Sequence, residues 1–188
     1  MFRIAPVQPQ DATGDVKRAF DAVEASFGSV PNGVKVLAVS PQALRGYLGF
    51  SGALAAGALS KAERELLAIL TATRNRCGYC LAAHTLAGRG AGLSERELEA
   101  SARGEASDPR AATLLRLAAA IIHHRGNVPD EELAAAYGAG LTAAEVVEVV
   151  AEVSLSTFTN YLNRLARPEL DFPPVAMSSG STADDIAA

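Results

Sequence analysis

Cys77, Cys80 and His84 stand at the spacing C-x-x-C-x-x-x-H, and the two cysteines are the only ones in the 188-residue chain. A secreted scaffold spreads its cysteines to close loops, whereas paired thiols serve redox or metal chemistry in a reducing compartment. The pattern therefore points to a cytoplasmic protein. On a helix, residues three apart have Cα atoms about 5 Å apart, a separation a disulfide accepts. His84 then lies one turn beyond Cys80 on nearly the same face.

A free thiol with a pKa of about 8.5 is only a few per cent ionised at neutral pH, and the thiolate is the nucleophile. Lowering that pKa by about 2 units takes about 2.7 kcal/mol of preference for the charged form. Two sources lie close by. The N-terminal end of a helix carries a positive dipole and favours Cys77. His84 can take a proton from Cys80 and favours that sulfur. The residues alone leave both assignments open. Glu65, twelve positions before Cys77, sits on the preceding predicted helix; if the two helices fold back, it faces His84 or a cysteine and accepts a proton or orients the ring. Two plainer readings compete: an inert buried pair, or a zinc site closed by Glu65, His123 or His124 as a fourth ligand. Redox chemistry without a metal is the preferred reading.

The elements that must hold these groups are helical nearly throughout. Alanine and leucine dominate, and no run alternates apolar and polar residues for long. Capping-box patterns at Ser60/Glu63, Ser94/Glu97 and Thr142/Glu145, with cap-plus-proline starts at Ser40-Pro41 and Asp108-Pro109, mark five helix openings. Asn75 is expected to cap the helix that carries the dithiol. Helices are predicted at about 11–27, 31–39, 41–57, 61–74, 77–88, 94–103, 109–124, 130–137 and 142–166. They form a single all-α bundle of about eight helices over 1–174, with an N-terminal extension over about 11–57, a C-x-x-C core over about 58–174 and a loose tail at 175–188.

Hydrophobic residues make up 49% and charged residues 20%, which fits a globular chain. A net charge of −4, 5% aromatic residues and no tryptophan argue against a nucleic-acid partner. The N-terminal segment MFRIAPVQPQ resembles no signal peptide, and no long apolar run suggests a membrane partner. His123 and His124 close the predicted helix 109–124, where positive groups complement the dipole. Arg74 and Arg76 are expected to be solvated charges, and Tyr79 is a packing residue or pocket wall. Among Asn160, Tyr161 and Asn163 the spacing does not choose a residue that faces the site.

Glu65, Cys77-Gly-Tyr-Cys80 and His84 together resemble the E-x(11)-C-x-x-C-x(3)-H signature of the AhpD-like alkylhydroperoxidases, within the carboxymuconolactone decarboxylase superfamily. PNGVKVLAVSPQALRGYLGFSGAL from Pro31 resembles the lead-in of the peroxidase-related branch, and FTNYLNRLARPELDFP from Phe158 resembles its closing helix and extended tail. The likeness spans roughly residues 30 to 174. It implies an AhpD-like all-helical fold, a trimer or hexamer of identical chains, and hydroperoxide reduction without a cofactor. It assigns Cys80 as attacking thiolate, Cys77 as resolving thiol, and His84 with Glu65 as the proton relay. A lipoyl-bearing or thioredoxin-like dithiol is the implied reductant. The chain departs from some AhpD enzymes in carrying Tyr79 where they place a histidine between the cysteines, which shortens the relay.

Overall fold

The computed structural model describes residues 3–177. After a 3-10 turn at Pro9–Asp11, the chain forms α1 (Gly14–Phe27), α2 (Asn32–Leu37), α3 (Pro41–Ala55), α4 (Lys61–Arg74), α5 (Gly78–Gly90), α6 (Glu95–Arg103), α7 (Pro109–His124), α8 (Asp130–Gly138) and α9 (Ala143–Ala166). Among the described residues there are nine α-helices and no strands, one for each of the nine predicted ranges, although the bundle was expected to hold about eight. The expected tail from 178 onward lies outside the described residues.

All three capping boxes form. Ser60, Ser94 and Thr142 accept the N–H groups of Glu63, Glu97 and Glu145, whose carboxylates accept from the cap N–H groups in return. Each box satisfies donors that a helix start otherwise leaves open. Arg110 then ties two boxes together, donating to Glu63 at 2.6 Å and to Glu145 at 2.5 Å. This fixes the starts of α4 and α9 against α7.

One predicted cap is wrong. Asn75 closes α4 and does not open α5. Arg76 turns left-handed at φ 53°, its N–H donating to Thr73 O at 3.0 Å, while the Cys77 N–H donates to Ala72 O at 2.8 Å. These two bonds are a Schellman closure, which satisfies the last carbonyls of α4. The chain then starts α5 at once, with Cys77 as its cap: the Cys77 Sγ accepts the Cys80 N–H at 3.3 Å.

At the centre lies α4, packed on α5, α6, α7 and α9 and buried continuously from Leu66 to Thr73. A helix apolar on every side belongs inside. Its main cluster includes Leu67, Leu70, Leu114, Leu115, Ala118 and Val149. A second cluster, with Phe20, Val30, Leu37 and Leu44, seats the N-terminal helices against Leu162 of α9. The register of α4 on α9 is pinned by Glu148, which accepts the N–H groups of Ala58 at 2.8 Å and Leu59 at 3.0 Å. Gly57 makes room for that carboxylate, because a Cβ there would stand 2.6 Å from Glu148 Oε2. No single helix among the described residues is long and apolar enough to cross a membrane.

Candidate active site

Cys77 and Cys80 are joined as a disulfide with Cα atoms 5.3 Å apart. Both are sealed in this chain, at 1% and 3% exposure, in a cluster with Ile69, Ala72, Leu81 and Leu98. Two polar contacts reach the sulfurs: the Cys80 N–H at Cys77, and Asn163 Nδ2, which donates to Cys80 Sγ at 3.3 Å. Helical phase separates Asn160, Tyr161 and Asn163 of α9. Asn160, fully buried, accepts from Asn75 Nδ2 at 3.0 Å, whereas Tyr161 is 60% exposed. Asn75 thus braces the turn before the dithiol against α9 instead of capping α5. Counting in helical steps from Val149 gives Val153, Ser156, Asn160 and Asn163 as one inward face, a signal present in the sequence.

The segment after α9 straps over the sulfurs, and Tyr79 holds it. The Tyr79 hydroxyl accepts the Gly33 N–H at 2.8 Å and donates to Asp171 Oδ1 at 2.8 Å, while its ring meets Phe172 edge-on at 5.3 Å. Burial, and then the Asp171 carboxylate, push the phenol well above its ordinary range, although the Gly33 N–H opposes them. Tyr79 is therefore a fixed neutral donor. Asn32 adds two bonds, from its N–H to Asp171 Oδ2 at 2.7 Å and from Nδ2 to Glu169 O at 3.0 Å. Val175 packs on the cysteine cluster itself. Gly33 permits the close approach, since a Cβ there would stand 2.9 Å from both Tyr79 Cε1 and Asn163 Oδ1.

One turn along α5 the environment changes. His84 Nδ1 and Glu65 Oε2 are 2.8 Å apart, so Glu65 faces the histidine. Gly88 lets α5 lie this close to its neighbours: a Cβ there would reach Leu98 Cδ2 at 2.6 Å and Glu65 Cβ at 3.8 Å. Among the described residues no hydrogen bond joins the ring to either sulfur. Burial alone would push the imidazole pKa down, but the Glu65 hydrogen bond and the charges of Glu65 and Glu152 outweigh it and hold it above the ordinary value. The ring borders a small cavity of about 60 Å³ between α3, α4, α5 and α9, lined also by Tyr47, Arg64, Glu152 and Ser156.

Arg64 and Glu152 lie outside the sequence motif. Glu152 is 5% exposed, its carboxyl held up to about 7 by burial and by Glu65 and Glu148, with Arg64 and His84 opposing. A glutamate one position from Val153, on the buried face of α9, was the available signal. His123 and His124 lie away from the dithiol at the end of α7, where His124 Nε2 and Glu132 Oε1 are 3.3 Å apart. Among the described residues no group of three or more His, Cys, Asp or Glu side chains could hold a metal ion. Arg74 closes α4 on an exposed face.

Residues 41–120 match the carboxymuconolactone decarboxylase family. No curated protein matches the chain at a significant level. An alkylhydroperoxidase AhpD core structure, an uncharacterized peroxidase-related protein from Ralstonia eutropha JMP134, superposes with TM-score 0.83 at 22% identity, covering 90% of this chain and 92% of the other. A peroxidase-related protein from Silicibacter sp. TM1040 gives 0.74 at 22% identity, covering 89% and 88%. The debrominase Bmp8, solved with 2,3,4-tribromopyrrole, gives 0.77 at 16% identity, covering 90% and 91%. At these identities the likeness establishes the fold.

Proposed function

We propose that this chain, an AhpD-like member of the carboxymuconolactone decarboxylase superfamily, reduces hydroperoxides with a Cys77/Cys80 dithiol cycle. The observation that carries the reading is the Glu65–His84 pair at 2.8 Å, one helical turn from a cysteine already bonded to its neighbour. Glu65 accepts from Nδ1–H and so leaves Nε2 as the nitrogen that exchanges a proton.

In the cycle, Cys80 loses its proton to the histidine and the thiolate attacks the distal peroxide oxygen. The O–O bond breaks, sulfur is oxidised to the sulfenic acid, and the departing alkoxide takes a proton to leave as alcohol. The Cys77 thiol then displaces water from the sulfenic acid, forming the disulfide. An external dithiol, lipoyl-bearing or thioredoxin-like, returns two electrons and two protons by thiol–disulfide exchange. Asn163, donating to Cys80 Sγ, stabilises charge on that sulfur.

Two further features belong to this proposal. The outer face of α9 presents Val147, Val150, Phe158, Tyr161 and Leu165, each at least 43% exposed. A stripe of that kind suits a second copy of the chain and hence a homo-oligomer. A reducing cytoplasm suits a dithiol that must be recycled.

The test is turnover of an organic hydroperoxide with reduced lipoamide, compared with Cys80→Ser. Wild-type turnover with at least a thousandfold loss in the variant is the expected result. Burial of both sulfurs beneath the strap favours a second reading, a redox sensor that forms the disulfide without efficient cycling. Rapid single oxidation with no sustained turnover would decide for the sensor.

A further inference from the structure

The cavity beside His84 holds a second carboxylate that the dithiol cycle leaves unused. Glu152 projects from α9 at 5% exposure, and its Oε1 is fully buried without a hydrogen-bond partner. Arg64 Nε, also buried and without a hydrogen-bond partner, stands 3.9 Å away, beyond hydrogen-bond reach. The same cavity is bordered by Glu65 and His84. A buried carboxylate whose ion-pair partner, Arg64, stands too far off to donate a hydrogen bond is costly to keep charged. Its charged and titratable surroundings are Arg64 and Glu65 from α4, His84 from α5, Glu148 from its own helix and Tyr47 from α3.

We propose that Glu152 is the proton store of the dithiol site, taking the Cys80 proton from His84 across the cavity and returning it to the leaving alkoxide. The inference rests on the thiol–peroxide reading and adds a positioning residue to it. Glu65 is unsuited to the task, because its Oε2 is committed to Nδ1 and orients the ring. At about 60 Å³ the cavity has room for a few waters to carry a proton between the ring and Glu152.

The transfer balances. The Cys80 S–H bond breaks with the electron pair kept on sulfur, and an imidazole N–H forms. That N–H then breaks as the Glu152 O–H forms, so one negative charge moves from carboxylate to sulfur. When the peroxide O–O bond breaks, the proton returns by the same route to the alkoxide. A carboxyl titrating near neutrality is matched to such exchange, and burial holds Glu152 at about 7.

Infrared titration of the reduced full-length protein, with and without carboxyl-13C glutamate, tests this directly. The expected spectrum holds one isotope-sensitive protonated glutamate band that disappears with a midpoint near pH 7. The band is lost in Glu152→Gln, kept in Glu65→Gln and regained in Glu152→Asp as an unlabelled aspartate band, and Glu152→Gln also lowers the His84 midpoint followed by NMR. A wild-type protein with no protonated glutamate near pH 6, or a band that survives Glu152→Gln, overturns the store. The wild-type spectrum decides even if the variants misfold. A protein that shows the Glu152 band but turns over no peroxide keeps Glu152 as acceptor of the Cys80 proton and overturns the peroxidase reading together with the return of the proton to an alkoxide.

Discussion

Within one turn of α5 the protein keeps two opposite environments. Around Cys77 and Cys80 the surroundings are apolar, nearly solvent-free and latched shut by Tyr79, Asp171 and Phe172. Around His84 they are polar and ionisable, with two carboxylates and an arginine bordering a cavity. The contrast separates two demands that a thiol site places on its scaffold. In the proposed cycle a sulfenic acid must be shielded until the second thiol reaches it, whereas the proton relay needs polar groups that exchange protons. The i, i+4 spacing lets one helix serve both, because successive turns meet different neighbours: Asn163 at Cys80, and the Glu152 end of α9 at His84.

The largest effect that would break this division is removal of the link between its halves. His84→Ala is expected to return the attacking thiol toward about 8.5, cutting its iodoacetamide alkylation rate at pH 7 by about 20-fold and peroxide turnover by about 100-fold or more. Unchanged alkylation would mean that the cysteine side sets its own ionisation. Loosening the latch acts on the other half. Asp171→Ala removes the acceptors of the Tyr79 hydroxyl and the Asn32 N–H. At about 1–1.5 kcal/mol for such a pair in partly exposed surroundings, reduction of the disulfide by an external dithiol should quicken about tenfold. The His84 titration should stay in place.

The third effect concerns stability against pH and is spread over about three pH units. His84 and Glu152 both have folded-state pKa values raised above their ordinary ones. Each therefore contributes stability at low pH that is lost as pH rises through the raised value. For Glu152 that loss runs from about 4.5 to about 7, and for His84 it begins at its ordinary 6.5. Glu63 and Glu145, whose pKa values are depressed, are ionised in both states above about 4.5 and add no slope there. Thermal unfolding should thus show Tm falling between pH 5 and 8, by an amount on the order of 1–3 kcal/mol in stability. Glu152→Gln should flatten the lower part of the curve and shrink the part due to His84, whose ring the Glu152 charge helps hold up. A flat wild-type profile would remove the distinction between the two environments.

Much of this was legible in advance. The capping boxes at Ser60, Ser94 and Thr142 depend on groups three residues apart, so local chemistry alone places those helix starts. The Glu65–His84 contact was accessible as soon as α4 and α5 were taken to fold back on each other. Asn75 misled because a good helix cap can serve either end of a turn, and the Schellman bonds to Ala72 and Thr73 decided the matter. Glu152 carries no such local mark, because it stands among apolar residues of α9 such as Val149 and Val153, and only packing makes it a buried acid. Tyr79 looked like a deficit beside enzymes with a histidine there. In the fold it has a task of its own, anchoring a strap whose bonding residue lies 92 positions away.

Residue types and short spacings, by themselves, determined that the chain is helical, where most helices begin, and that two thiols and an imidazole share a helix. Those properties follow from interactions within one or two turns. Tertiary structure decided which side chains surround the sulfurs and which surround the ring. Burial, and the fields of groups far apart in sequence, exist only once α3, α4, α5, α9 and the strap have packed together.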